Sequence, residues 1–131
     1  MAAGVTAAIV HGVGDLLPGG YDFIVPSRGG TRRPGVRLRV RALGGDEVFP
    51  VAGLPALTVK RTIADLIEVG TDESLVVDAL RDAVRADKLV APDRLVDYLG
   101  PVAKQRGTAG RALADNLFEL AGVRPEGWDR G

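Results

Sequence analysis

Six arginines fall within residues 28–41 (Arg28, Arg32, Arg33, Arg37, Arg39 and Arg41), and no acidic residue falls among them. The end of this run, Val36-Arg37-Leu38-Arg39-Val40-Arg41, alternates strictly. Side chains of an extended strand point alternately to opposite faces, so the pattern predicts an apolar face and a guanidinium face. At about 3.3 Å of rise per residue the arginines stand roughly 6.6 Å apart in a row. Guanidinium forks match phosphate and carboxylate geometry, so such a row suits an anionic polymer or an acidic partner surface. The same alternation equally describes a half-buried strand with its polar face in water. Lys60, beside Arg61, adds one more cation to the candidate face.

Other chemistry-bearing residues are sparse. The single histidine, His11, sits in an apolar, glycine-punctuated stretch and reads as a packed side chain. There is no cysteine, which excludes disulfides, thiol chemistry and Cys-based zinc sites. Walker loops, dinucleotide fingerprints and nucleophile elbows are absent. Gly29-Gly30-Thr31, followed by arginines, is a weak phosphate-cradle pattern. Asp78 and Asp82 share a helical face, but each also lies three residues before an arginine (Arg81, Arg85), the pattern of surface pairs. Asp65, four residues after Arg61, reads the same way.

The whole chain is neutral, with 17 Lys/Arg and 17 Asp/Glu, yet the charge is sorted. Residues 1–61 carry eight basic and four acidic residues, and residues 62–131 carry nine and thirteen. A basic and an acidic face are expected, or internal pairing between the two parts. At 131 residues, 46% hydrophobic and 26% charged, the chain suits one globular domain. Neither a signal peptide nor a membrane span is expected.

The elements that must position these residues follow from pattern. Residues 5–13 read as a short apolar helix, broken by the glycines that follow. Residues 21–25 form a β-rich run, 27–35 a loop, and 36–41 the alternating strand. Val48–Val51 and Leu54–Thr58 read as a hairpin around Ala52-Gly53. Alanine disfavours the positive φ of a type I′ turn, so a type II turn or a glycine bulge is expected. The remainder is helical. Thr58 caps a helix with Val59, Ile63, Leu66 and Ile67 on one face. Thr71 or Asp72 caps the next. A short helix starts at Pro92 and stops at Gly100, and a last one spans 109–121. The expected fold is α+β, a small antiparallel sheet from about 21–58 packed by a helical second half. Residues 1–123 form one domain, and 124–131 a frayed tail.

Several short motifs occur together in order: Gly53-Leu54-Pro55, Thr58 and Arg61-Thr62-Ile63-Ala64-Asp65-Leu66, preceded by the Ala-Ala-x-x-His-Gly-x-Gly-Asp run at 7–15, Tyr21-Asp-Phe-Ile-Val-Pro26, the basic loop and the arginine strand. This set resembles the C-terminal domain of AbiEi-type antitoxins of type IV toxin–antitoxin systems, often described as transcriptional regulators. The resemblance covers about residues 5–121. Relatives often have Asp or Asn where Ala52 stands and Pro-Ala where Val59-Lys60 stand. They usually carry a winged helix-turn-helix ahead of this domain, and no such pattern is expected here.

The resemblance implies a non-enzymatic, cytoplasmic phage-defence domain, needing no cofactor or metal, that supports promoter repression and, indirectly, neutralises a nucleotidyltransferase-like toxin. Arg28, Arg32, Arg33, Arg37, Arg39, Arg41 and Lys60 are the expected nucleic-acid-binding residues, holding DNA backbone weakly and without sequence preference. Two alternatives are a protein-interaction module that binds no DNA, and a small metal-dependent nuclease-like domain using Asp15 or the helical aspartates.

Overall fold

A computed structural model of the chain describes residues 1–14, 21–25 and 36–128. The elements are α1 (Gly4–His11), β1 (Tyr21–Val25), β2 (Val36–Val40), a 3-10 turn (Gly45–Glu47), β3 (Val48–Val51), β4 (Leu54–Leu57), α2 (Val59–Glu68), α3 (Glu73–Arg85), α4 (Pro92–Gln105) and α5 (Gly110–Ala121). The fold is α+β with a helical second half, as expected.

The sheet is not wholly antiparallel. β3 and β4 form the expected hairpin, but β1 and β2 pair parallel, from Tyr21 opposite Val36 to Val25 opposite Val40. The parallel order sets Asp22 beside Arg37 and brings Arg39 and Arg41 in sequence toward α2. The two pairs are joined by residues 1–3, which sequence patterning did not assign to the sheet. Ala2 bridges Phe23 on one side and Ala56 on the other, and both Ala2 and Ala3 are fully buried.

The turn at Ala52-Gly53 also departs from expectation. Both residues have positive φ, 50° and 81°, as in a type I′ turn. The twist match of that turn to a two-residue hairpin outweighs alanine's preference. Pro50 lies opposite Pro55. With the turn-flanking pair hydrogen-bonded, this is a non-bonded pair, so neither missing N–H costs a ladder bond. Ala52→Gly should raise stability by about 0.5–1 kcal/mol, the αL penalty removed less the backbone entropy added. Urea unfolding would show it as a higher midpoint at unchanged slope.

α1 lies between sheet and helices because its residues are small. Ala3 and Ala7 join Ile24, Ala56 and Leu57 in a compact cluster beneath the sheet, while Ala8 packs into the main core. That core is made by α2–α5, with Ile63, Leu66, Leu80, Leu95, Leu99 and Leu117 among its most buried side chains. The α2 face read from the sequence is therefore the buried one. Thr58 and Asp72 cap α2 and α3, accepting from Arg61 N at 3.3 Å and Ser74 N at 2.9 Å.

The expected stop at Gly100 does not occur. α4 continues through Pro101 to Gln105, burying Val102 and Ala103. Burial offsets the one backbone bond that Pro101 cannot donate. Gly110 lies against the Val96 carbonyl and Gly100 backbone, a crossing too close for a Cβ.

The tail is docked as far as Trp128, where fraying was expected. Trp128 packs edge-on against Phe118 with ring centroids 4.8 Å apart, and its indole N–H donates to Asp115 at 3.0 Å. Arg111 lies over the same ring, 4.0 Å from its centroid. No helix among the described residues is long and apolar enough to cross a membrane.

Candidate functional site

The arginines of β2 lie on the face toward α1 and α2, with the Arg39 side chain 34% exposed and that of Arg37 still 59% exposed. β1 and β2 are in register, so Asp22, Ile24, Arg37 and Arg39 share one face, and Tyr21, Phe23, Val36 and Leu38 the other. The first face meets α1 and α2. Ile24 is buried there, whereas Leu38 is 42% exposed on the opposite side. The expected arrangement, apolar side in and arginines out, is thus not met: Arg39 is drawn toward the core side while Leu38 is left exposed.

Carboxylates explain the difference. Arg39 grips Asp65 with both terminal nitrogens, at 2.7 and 2.5 Å. Asp65 is completely buried, and the same carboxylate accepts the Gly4 N–H at 2.8 Å, at the first turn of α1. Gly4 has φ +51°, and a Cβ there would sit 3.1 Å from Asp22 Oδ2, so glycine lets α1 begin between these two carboxylates. Arg37 Nε donates to Asp22 Oδ1 at 2.5 Å. Arg41 pairs with Glu68, one helical turn beyond Asp65 on α2. Hydrogen bonds to their carboxylate partners hold the Arg37 and Arg39 guanidinium groups more firmly protonated than usual.

The ladder continues beyond β2. Arg61, only 1% exposed, does not bridge to Asp65 as its spacing suggested. It donates through Nη2 to both Glu68 oxygens at 2.8 Å, and its Nε lies 3.3 Å from Glu47. Tyr98 covers the guanidinium, 5.3 Å from ring centroid to Cζ. The Tyr98 hydroxyl donates to Asp46 at 3.3 Å, and Asp46 also takes Arg94. Hydrogen bonding from Arg94 lowers the Asp46 carboxyl below its ordinary range. Burial, then the charges of Asp46 and Glu47, raises the Tyr98 phenol. Among the described residues, five arginines (37, 39, 41, 61, 94) thus meet six carboxylates (22, 46, 47, 65, 68, 97), and the network carries no excess positive charge.

Of the residues read from sequence as a basic face, Arg37, Arg39 and Arg41 come together in this ladder. Arg28, Arg32 and Arg33 lie outside the described residues, as do Asp15 and the Gly29-Gly30-Thr31 cradle. Lys60 lies elsewhere. It lines a separate open cleft of about 750 Å³, bordered by the end of α1, by β3 and by the connection after α3. Sequence reasoning missed the acidic half of the ladder. The available signal was Asp65 and Glu68, three apart on a helix whose apolar residues Ile63, Leu66 and Ile67 are buried.

The two helical aspartates have unrelated partners. Asp78 bridges to Arg81 at 3.1 Å, while Asp82 accepts the Gly14 N–H at 2.8 Å rather than pairing with Arg85. Among the described residues, no group of three or more His, Asp or Glu is placed to hold a metal ion. No protein-family model matches the chain, and none of the curated proteins matches it.

Proposed function

We propose that the chain is a non-enzymatic, antitoxin-like binding domain of the AbiEi kind, working in the cytoplasm, and that it engages protein rather than the DNA backbone. The resemblance carries the antitoxin role, including support for promoter repression and indirect neutralisation of a nucleotidyltransferase-like toxin. One observation carries the choice of protein over DNA: each described arginine of β2 already has a carboxylate partner. A phosphate would have to displace a carboxylate held at hydrogen-bonding distance, with the displaced carboxylate left repelling it. Neutral surfaces also release no counterions on binding, the main source of affinity for nucleic acid.

A salt titration with a 20-base-pair duplex tests this reading. The chain is expected to bind no tighter than about 10⁻⁴ M at physiological salt, the weak end of the non-specific range. Arg37→Ala, at the most exposed arginine of the ladder, should leave the weak signal and its salt slope unchanged. Submicromolar affinity, or a slope that becomes shallower by about 0.9 in that variant, would restore the DNA-backbone reading.

A further inference from the structure

Lys60, which the sequence grouped with the arginines, borders a different feature. The cleft of about 750 Å³ has an apolar lining that includes Val10, Phe49, Val59 and Val90. Its volume falls within the roughly 300–1,000 Å³ typical of ligand-binding clefts. Phe49 is 60% exposed and Val90 67% exposed, so two large apolar side chains stand at its border in water.

The charge around this lining is one-sided. Lys60 and Lys88 both border the cleft, and neither makes an ion pair among the described residues. Lys88 is held in place, its ammonium donating to the His11 carbonyl at 2.5 Å. His11 is itself anchored, its Nε2 donating to the Leu57 carbonyl at 2.6 Å. The acidic residue at the cleft, Asp46, is already neutralised by Arg94. The local balance is therefore two uncompensated cations beside apolar walls, in contrast to the ladder, where every arginine has a carboxylate.

We infer that this cleft docks an acidic protein segment that inserts one bulky apolar side chain between Phe49 and Val90 and sets its carboxylates against Lys60 and Lys88. The proposal rests on the protein-binding reading above and names the chemistry of the partner. Side-chain insertion is favoured over strand addition, because Pro50 removes an N–H from the β3 edge that borders the cleft. The anchored Lys88 also loses less freedom on binding than a free surface lysine would.

The test uses the full chain, labelled with ¹⁵N, and the peptide acetyl-Asp-Glu-Leu-Trp-Glu-Asp-amide as probe. Amide shifts should concentrate at Phe49, Lys60, Lys88 and Val90. A control peptide with lysine at the four acidic positions should bind at least tenfold more weakly, and one with alanine in place of Leu-Trp should lose binding. Reversing both cations (Lys60→Glu with Lys88→Glu) should weaken the probe by about fivefold or more. Phe49→Ala, at an exposed position, keeps the test independent of any folding defect in that double variant. Equal binding of the lysine peptide, shifts centred elsewhere, or no shift at millimolar probe would overturn the proposal. Saturation of the cleft by indole-3-acetate without binding of the peptide would assign it to a small anion. Concentration-dependent shifts without any probe would assign it to a second copy of the chain. These outcomes leave the DNA titration untouched, so the two readings fail separately.

Discussion

Asp65→Ala is expected to destabilise the domain by about 3–5 kcal/mol, the range for breaking a buried ion pair from one side. The carboxylate is 0% exposed and serves two elements at once. It accepts both terminal nitrogens of Arg39 from β2 and the Gly4 N–H from α1. Its loss leaves a half-buried guanidinium without a counter-charge and a buried N–H without an acceptor. Asp65→Asn should cost less, because an amide oxygen can still accept one of these bonds. Replacing both partners, Arg39→Met with Asp65→Leu, should recover part of the loss, since the desolvation of two charges is then avoided. Urea unfolding of the four proteins checks this. A cost under about 1 kcal/mol for Asp65→Ala would show that the carboxylate does not fasten β2 and α1 to α2.

The ladder shows where sequence reasoning succeeds and where it stops. The helices were legible because their apolar spacing matches the helical period and Thr58 and Asp72 stand at their starts. Local rules end α4 at Gly100 because they penalise Gly100-Pro101, while burial of Val102 and Ala103 is a tertiary gain that no local rule contains. The alternation in 36–41 was read correctly as a strand. Its direction was not legible, since alternation assigns two faces without saying which is inside. That choice was made by Asp22, Asp65 and Glu68, far apart in sequence but adjacent once β1 and α2 are placed. Charge sorting between the two parts of the chain was a further hint, and pairs such as Arg39–Asp65 and Arg41–Glu68 join the two parts. Proximity in sequence groups Lys60 with the arginines, yet its place at the start of α2 sets it at the border of another cleft. The polar neighbours of Trp128 predict a frayed tail. One large aromatic side chain suffices to dock the segment when Phe118 and Asp115 present a matching surface.

Deleting residues 1–3 is expected to destabilise the domain strongly. These residues carry no chemistry and no strand-type pattern, yet they complete the middle of the sheet. Met1 exchanges hydrogen bonds with Ile24, its amino group donating at 3.0 Å and its carbonyl accepting at 2.8 Å. Ala2 N donates to the Pro55 carbonyl at 2.9 Å, and the Ala2 carbonyl accepts from Leu57 N at 3.0 Å. Ala3 N donates to the Asp22 carbonyl at 2.9 Å. At about 0.5–1.5 kcal/mol net for each, these five bonds are worth roughly 2.5–7.5 kcal/mol. That is a large part of the 5–15 kcal/mol by which domains are ordinarily stable. The truncation also divides the sheet into two separate two-stranded pairs, each marginal alone. Helices α2–α5 keep their own core, so far-ultraviolet circular dichroism should retain most helical signal while the sheet loosens. Native-state hydrogen exchange gives the decisive measurement. The amides of Ile24 and Leu57 should lose most of their protection in the truncated chain, while those of Leu66 and Leu99 keep theirs relative to the new global stability. Protection at Ile24 and Leu57 equal to that of the helical core would mean that the sheet closes without residues 1–3. Ala2→Asp offers the same test with the backbone intact, because a carboxylate at this fully buried position between Phe23 and Ala56 must be desolvated.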